Sequence, residues 1–203
     1  FHLVGHDWGS SVGWAFIAEH PERLYSWTSL SIPHMKAFQE AYRSDFDQQR
    51  KSKYIKFFNM PFFPELYLSY NGYNNLKNIW SAHDDKEKEA YLSVFRQSGA
   101  LRSALNWYRA NIGRHRNLTD HINFGIVEVP SLLIWGNMDM AIGRKSIDLN
   151  EQYMAGPYNL LELYAGHWLI QESFDDVSKA IINHIKMYSL EYYEPQLGGK
   201  RKK

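Results

Sequence analysis

The tightest constraint on the fold lies at the amino end, where a strand runs into a helix through a five-residue turn. Phe1-His2-Leu3-Val4 reads as the last residues of a buried strand, and Gly5-His6-Asp7-Trp8-Gly9 follows at once. Val12, Ala15, Phe16 and Ala18 then recur at helical spacing, and the helix should stop near His20-Pro21-Glu22-Arg23. Residues 25–32 read as a second strand. Strand, sharp turn, helix and strand form the repeating unit of a parallel α/β sheet. A chain of 203 residues, 44% of them hydrophobic, is long enough to bury such a sheet.

Beyond Pro33 the character changes. Long amphipathic stretches at 37–58 and 84–96 dominate and aromatics are dense, which predicts a helical insertion. Strand patterning returns at Ser131-Leu132-Leu133-Ile134-Trp135, between Pro130 and Gly136. A helix over 144–153, a strand over 159–164 closed by Gly166, and an amphipathic helix over 174–188 complete the pattern. The expected fold is α/β: a mostly parallel sheet with flanking helices and an inserted helical cap. The core is assigned to residues 1–33 and 127–190, the cap to 34–126 and a tail to 191–203. The basic run Lys200-Arg201-Lys202-Lys203 after Gly198-Gly199 reads as a solvated tail.

Charge and composition exclude several function classes. Basic and acidic residues, 23 and 22, nearly cancel, and no basic stripe is interleaved with aromatics, so no nucleic-acid partner is expected. The absence of cysteine rules out disulfide and thiolate chemistry and fits a reducing cytoplasm, which is the expected location. Apolar runs are far shorter than the roughly 20 residues a membrane-spanning helix needs. The nine histidines lack a close ligand spacing joined to carboxylates, so neither a metal nor another cofactor is expected.

Three loops at the carboxyl ends of strands each present an unusual residue: Asp7, Asp139 in Trp135-Gly136-Asn137-Met138-Asp139, and His167 in Gly166-His167-Trp168. In an open parallel sheet such loops converge on the rim where ligands bind. Each residue alone has a plain structural alternative. Asp7 can cap the helix that follows it, Asp139 can serve a turn, and a lone histidine is commonly structural. The glycines flanking Asp7 two positions away on either side also suit a strained turn that lifts a side chain into the open.

In the order Asp7, Asp139, His167, the chain resembles the epoxide hydrolase and haloalkane dehalogenase group of the α/β-hydrolase superfamily. Gly5-His6-Asp7-Trp8-Gly9 looks like the group's nucleophile elbow, and Asp139 and His167 match its acid and base positions. The resemblance implies Asp7 as nucleophile. Chemistry gives a reason for an aspartate in that role: a carboxylate attacking a saturated carbon forms an ester that water can cleave, whereas a serine would form an ether. With an unperturbed pKa of about 3.9 it is already an anion at neutral pH. His167, oriented by Asp139, is then free to activate water against the ester, with the Trp8 backbone N–H helping to hold the oxyanion.

Leu105-Asn106-Trp107-Tyr108-Arg109 resembles the epoxide hydrolase segment that carries one of two cap tyrosines donating to the epoxide oxygen. The stretch from Lys53-Tyr54-Ile55-Lys56 through Met60-Pro61, with Glu65 beyond it, resembles the segment that carries the other. The resemblance therefore implies Tyr54 and Tyr108 as substrate-binding acids, with aromatic packing between cap helices as the alternative. Trp8 follows the nucleophile in both activities of the group and does not separate them; it is assigned to the substrate site. His6 is assigned to packing at the elbow and His34 to a loop role.

The expected reaction is the opening of a small apolar epoxide by water to a vicinal diol, with dehalogenation of a haloalkane on the same triad as the alternative. A chain that opens inside a strand is also expected to be a fragment, short of the group's first strands and of its His-Gly loop. A second alternative is therefore an inactive piece with an exposed, poorly soluble sheet edge.

Overall fold

A computed structural model describes residues 1–80, 82–112 and 121–189 of the chain. The opening unit forms as β1 (His2–His6), α1 (Trp8–Glu19), a 3₁₀ turn at Pro21–Arg23, and β2 (Ser26–Leu30). Helices α2 (Met35–Ser44), α3 (Phe46–Lys51), α4 (Lys53–Phe58), α5 (Phe63–Lys77), α6 (Asp85–Phe95) and α7 (Ala100–Asn111) follow. The chain then returns to β3 (Ser131–Gly136), α8 (Arg144–Asp148), β4 (Tyr158–Leu163), α9 (Leu169–Glu172) and α10 (Phe174–Met187). The tail assigned to 191–203 lies outside the described residues.

Among the described residues the sheet has four strands in the order β1-β2-β3-β4, all parallel. Sequential order with parallel pairing puts the carboxyl ends of all four strands on one rim. The register pairs Leu30 with Ile134 and Thr28 with Leu132, so these side chains share a face. On that face Leu30, Leu132 and Ile134 pack with Ala165, Leu169 and Val177 from the α9 and α10 region. Trp27 points to the opposite face, where it joins Trp14 and Ile17 of α1 with Phe124, Val127 and Val129. Cover on both faces explains why every residue of β2 and β3 is buried and why these strands do not alternate.

The chain divides into two compact units, Phe1–Gln49 with Ile122–Lys203, and Arg50–His121. The helical unit is therefore shorter than the 34–126 assigned from sequence. Two contacts bring the 34–49 segment into the sheet unit: α2 packs on α8, and Gln48 of α3 is fully buried. The Gln48 amide donates to the Ala141 carbonyl (2.9 Å) and accepts from the Gly143 N–H (2.8 Å) and the Ser146 hydroxyl (2.7 Å). At the other boundary Phe124 belongs to the α1 core cluster. The amphipathic stretch 37–58 is divided at Asp45, whose carboxylate accepts the Gln48 N–H at 2.8 Å and starts α3 afresh.

The helical unit, taken by itself, buries Leu68, Leu76, Trp80, Leu92, Leu101 and Leu105. Asp84 caps α6 by accepting the Glu87 N–H at 2.7 Å. Arg109 of α7 forms a two-pronged pair with Glu65 of α5 (2.7 and 2.9 Å) and also donates to the Met60 carbonyl (2.8 Å). Among the described residues no helix is long and apolar enough to cross a membrane.

Candidate active site

Asp7 occupies the turn between β1 and α1 with φ 53° and ψ −121°, a conformation that L-residues with a side chain rarely adopt. Such a backbone costs about 1–3 kcal/mol. Burial of a single leucine or isoleucine contributes about 1.5–3 kcal/mol, so Leu30, Ile134 and Leu169 beneath the rim can hold the strain in place. Asp7 makes no side-chain capping bond to α1, which disfavours the simple cap reading. The two flanking glycines are not equivalent. A Cβ on Gly5 would lie 2.6 Å from the Gly9 carbonyl oxygen and 2.9 Å from the Ser10 nitrogen, so the close approach of α1 to the strand end requires glycine there. A Cβ on Gly9 would meet nothing within 4 Å.

His167 and Asp139 converge on the same turn. His167 Nε2 lies 3.1 Å from Asp7 Oδ1, and its Nδ1 lies 2.9 Å from Asp139 Oδ2. The other oxygen of Asp139 accepts the backbone N–H groups of Ala141 (2.7 Å) and Ile142 (3.1 Å). Side-chain exposure grades across the three: 0% at Asp139, 4% at His167 and 32% at Asp7, so Asp7 is the member a solute can reach. The loops are held together by a close approach at Gly136, where a Cβ would lie 2.3 Å from the carbonyl oxygens of Ala165 and Gly166. Asn137 and Met138 donate across the same gap to Leu163 (2.9 Å) and Ala165 (3.0 Å).

Electrostatics follow from this geometry. Burial would push the His167 imidazole down, but its hydrogen bonds to Asp139 and then Asp7, with the charges of both, outweigh burial and push it up to about 10. For Asp7, burial works toward a higher value. The hydrogen bond and charge of His167, with the Trp8 backbone N–H, more than reverse it and hold the carboxyl below its ordinary range. Both shifts favour the charged form of His167 beside an ionised Asp7, and the Trp8 N–H also acts on the Asp7 carboxylate.

Two contacts to the His167 backbone carry no signal in the sequence. The His6 Nε2 lies 2.9 Å from the His167 carbonyl, which can only accept, so this nitrogen carries the proton. The hydroxyl of Ser31, itself buried with φ 66°, donates to the same carbonyl at 3.3 Å. The imidazole ring is flanked by the rings of His6 (5.0 Å between centroids) and Trp168 (5.3 Å). His34 stands apart from this group: it is buried, stacks on Tyr153 at 4.6 Å and caps α2 through Nδ1.

In the helical unit Tyr54 of α4 and Tyr108 of α7 approach each other edge to face, with ring centroids 5.9 Å apart and Phe58 against both. The Arg109–Glu65 pair, next in sequence to Tyr108, ties α7 to α5. Among the described residues no group of three or more His, Asp or Glu side chains is arranged to hold a metal ion.

Comparison with known proteins adds four findings. The family described as "alpha/beta hydrolase fold" matches residues 1–173. Epoxide hydrolase 4 of Homo sapiens is 33% identical over 91% of this chain and 53% of its own length. The AB hydrolase superfamily protein YfhM of Bacillus subtilis is 31% identical over 91% of this chain and 65% of its own. Among solved structures, an epoxide hydrolase from Bacillus megaterium superposes with a TM-score of 0.79 at 23% identity, covering 90% of this chain and 68% of that one. The chain spans about half the length of the first curated relatives it matches, at 53% and 52%.

Proposed function

We propose that this chain, which belongs to the α/β-hydrolase fold family, opens epoxides to vicinal diols through an ester formed on Asp7. The observation that carries this reading is a carboxylate, rather than a hydroxyl, on the strained turn at hydrogen-bond distance from His167. A carboxylate there favours substitution at a saturated carbon. Relatives named epoxide hydrolase, at 30–33% identity, point to a strained cyclic ether as the electrophile.

In the first step an Asp7 oxygen attacks one ring carbon. The C–O bond of the epoxide breaks and its oxygen takes a proton or hydrogen bond from Tyr54 and Tyr108. These phenols are suited to a strained leaving group, and their mutual approach within the helical unit is consistent with joint action. Esterification removes the negative charge of Asp7 and with it part of what holds the proton on His167. The proton given up by His167 passes through solvent to the ring-opened oxygen and restores any tyrosinate to phenol; the neutral imidazole, oriented by Asp139, then takes a proton from water as that water attacks the ester carbonyl. The Trp8 N–H stabilises the developing oxyanion. Release of the diol, with the proton returned to the departing alkoxide, restores the Asp7 carboxylate. The substrates are a small apolar epoxide and water.

A panel of aliphatic and aryl epoxides assayed for diol, run beside haloalkanes assayed for halide, tests this reading. Diol formation that is lost in Asp7→Ala is the expected result. Halide release without any diol would assign the same triad to dehalogenation.

A further inference from the structure

We infer that Glu172 is a positioning residue for His167, clamping the backbone on both sides of it. One carboxylate oxygen of Glu172 accepts the Gly166 N–H at 2.6 Å, and the other accepts the Trp168 N–H at 3.2 Å. The residues on either side of His167 are thereby tied through their N–H groups to a single side chain. Its carbonyl is already held by His6 and Ser31, so His167 is fixed at three successive points of the main chain.

Two further observations separate this arrangement from a casual surface contact. A Cβ on Gly166 would lie 2.8 and 3.0 Å from the two Glu172 carboxylate oxygens, so a larger residue there would push the carboxylate out of this position. Glu172 lies in the single turn of α9, and its bond to the N–H of Trp168 satisfies a free donor at the start of that turn. Its bond to the N–H of Gly166, two residues before the turn, goes beyond helix capping and makes the carboxylate a charge-assisted acceptor for both neighbours of His167. The Trp168 ring stands 5.3 Å from the imidazole, so the same clamp fixes a wall of the site.

The catalytic consequence rests on the reading that His167 activates water for ester hydrolysis. A loosened His167 then impairs the second step and spares the first, because the Asp7 anion needs no base. The test uses the full chain and its Glu172→Ala and Glu172→Gln variants with styrene oxide. Ester formation is followed by the mass of the intact protein and ester hydrolysis by decay of that adduct. We expect Glu172→Ala to slow hydrolysis about 10- to 100-fold and to change ester formation by less than about 3-fold. Glu172→Gln, which keeps one acceptor oxygen, should fall between. Equal loss in both steps, or in neither, overturns the inference.

A second readout needs no epoxide. The downfield NMR resonance of the His167 Nδ1–H, which faces Asp139, should shift or broaden in Glu172→Ala. An unmoved resonance in a folded variant also overturns the inference. A wild-type chain that never forms an adduct, in a preparation where that resonance does respond, supports the clamp and sinks the epoxide reading.

Discussion

Replacing Asp139 with asparagine changes one atom in a fully buried side chain, and its consequence can be worked from four hydrogen-bonded groups. In the native site Oδ1 accepts the Ala141 and Ile142 N–H groups while Oδ2 accepts from His167 Nδ1. An asparagine has one oxygen to share between these two sides. Facing its NH₂ toward the backbone would set donor against donor, forfeit two bonds of about 1 kcal/mol each and leave buried N–H groups unsatisfied at about 1–3 kcal/mol each. A difference of about 3 kcal/mol or more holds the amide oxygen on the backbone side by more than about 100 to 1. The NH₂ must then face Nδ1, which can meet it only as an acceptor, so the imidazole proton moves to Nε2. An imidazole so locked has no lone pair for water, and the loss in hydrolysis should be on the order of 10⁴-fold. Ester formation by Asp7 should be spared. Rapid-quench single turnover in Asp139→Asn should therefore show the adduct accumulating while diol release stalls. Diol release at the wild-type rate, or equal loss of both steps in a folded variant, would contradict a His167 locked with its proton on Nε2.

Three more outcomes follow from the same geometry. Gly5→Ala should lower stability by about 1–3 kcal/mol because its Cβ meets the α1 backbone, while Gly9→Ala, which meets nothing, should be neutral or stabilising by up to about 1 kcal/mol; chemical denaturation measures both, and equal effects would contradict the asymmetry. Tyr54→Phe and Tyr108→Phe should each lower ester formation by about 10²- to 10⁴-fold and leave hydrolysis of a preformed ester unchanged; wild-type ester formation would remove that tyrosine from the mechanism. The His167 value is raised in the folded state, so its stabilisation is fully present below about pH 6.5 and is lost as pH rises toward about 10. The Asp7 value is depressed, so its contribution is present above the ordinary carboxylate range and lost as pH falls through its folded value. Denaturation across pH should show both losses, and Asp7→Asn should diminish the alkaline one; a flat profile between pH 7 and 10 would count against the imidazolium.

The sheet unit was legible because its signals are local. Apolar runs bounded by Pro130, Gly136 and Gly166, and the Pro21 stop after α1, mark β3, β4 and the first crossover within a residue or two of where they form. The three residues that converge at the rim were legible as candidates because each sits just beyond such a run. The unit boundary was not, because residues 34–49 are helical like the insertion, and only the burial of Gln48 against Ala141, Gly143 and Ser146 assigns them to the sheet. Gly9 differs for a related reason: spacing alone makes it equivalent to Gly5, and only three-dimensional crowding separates the two. His6, Ser31 and Glu172 act through backbone atoms of residues distant or unremarkable in sequence, a kind of contact that no periodicity or turn pattern encodes.

The central claim, that Asp7 forms a covalent ester, is tested most directly by a single turnover in ¹⁸O-water with protein in excess over epoxide. The oxygen added to the first diol should come from Asp7, leaving that diol unlabelled and the Asp7 peptide enriched in ¹⁸O. A labelled first diol with an unlabelled Asp7 peptide would contradict it.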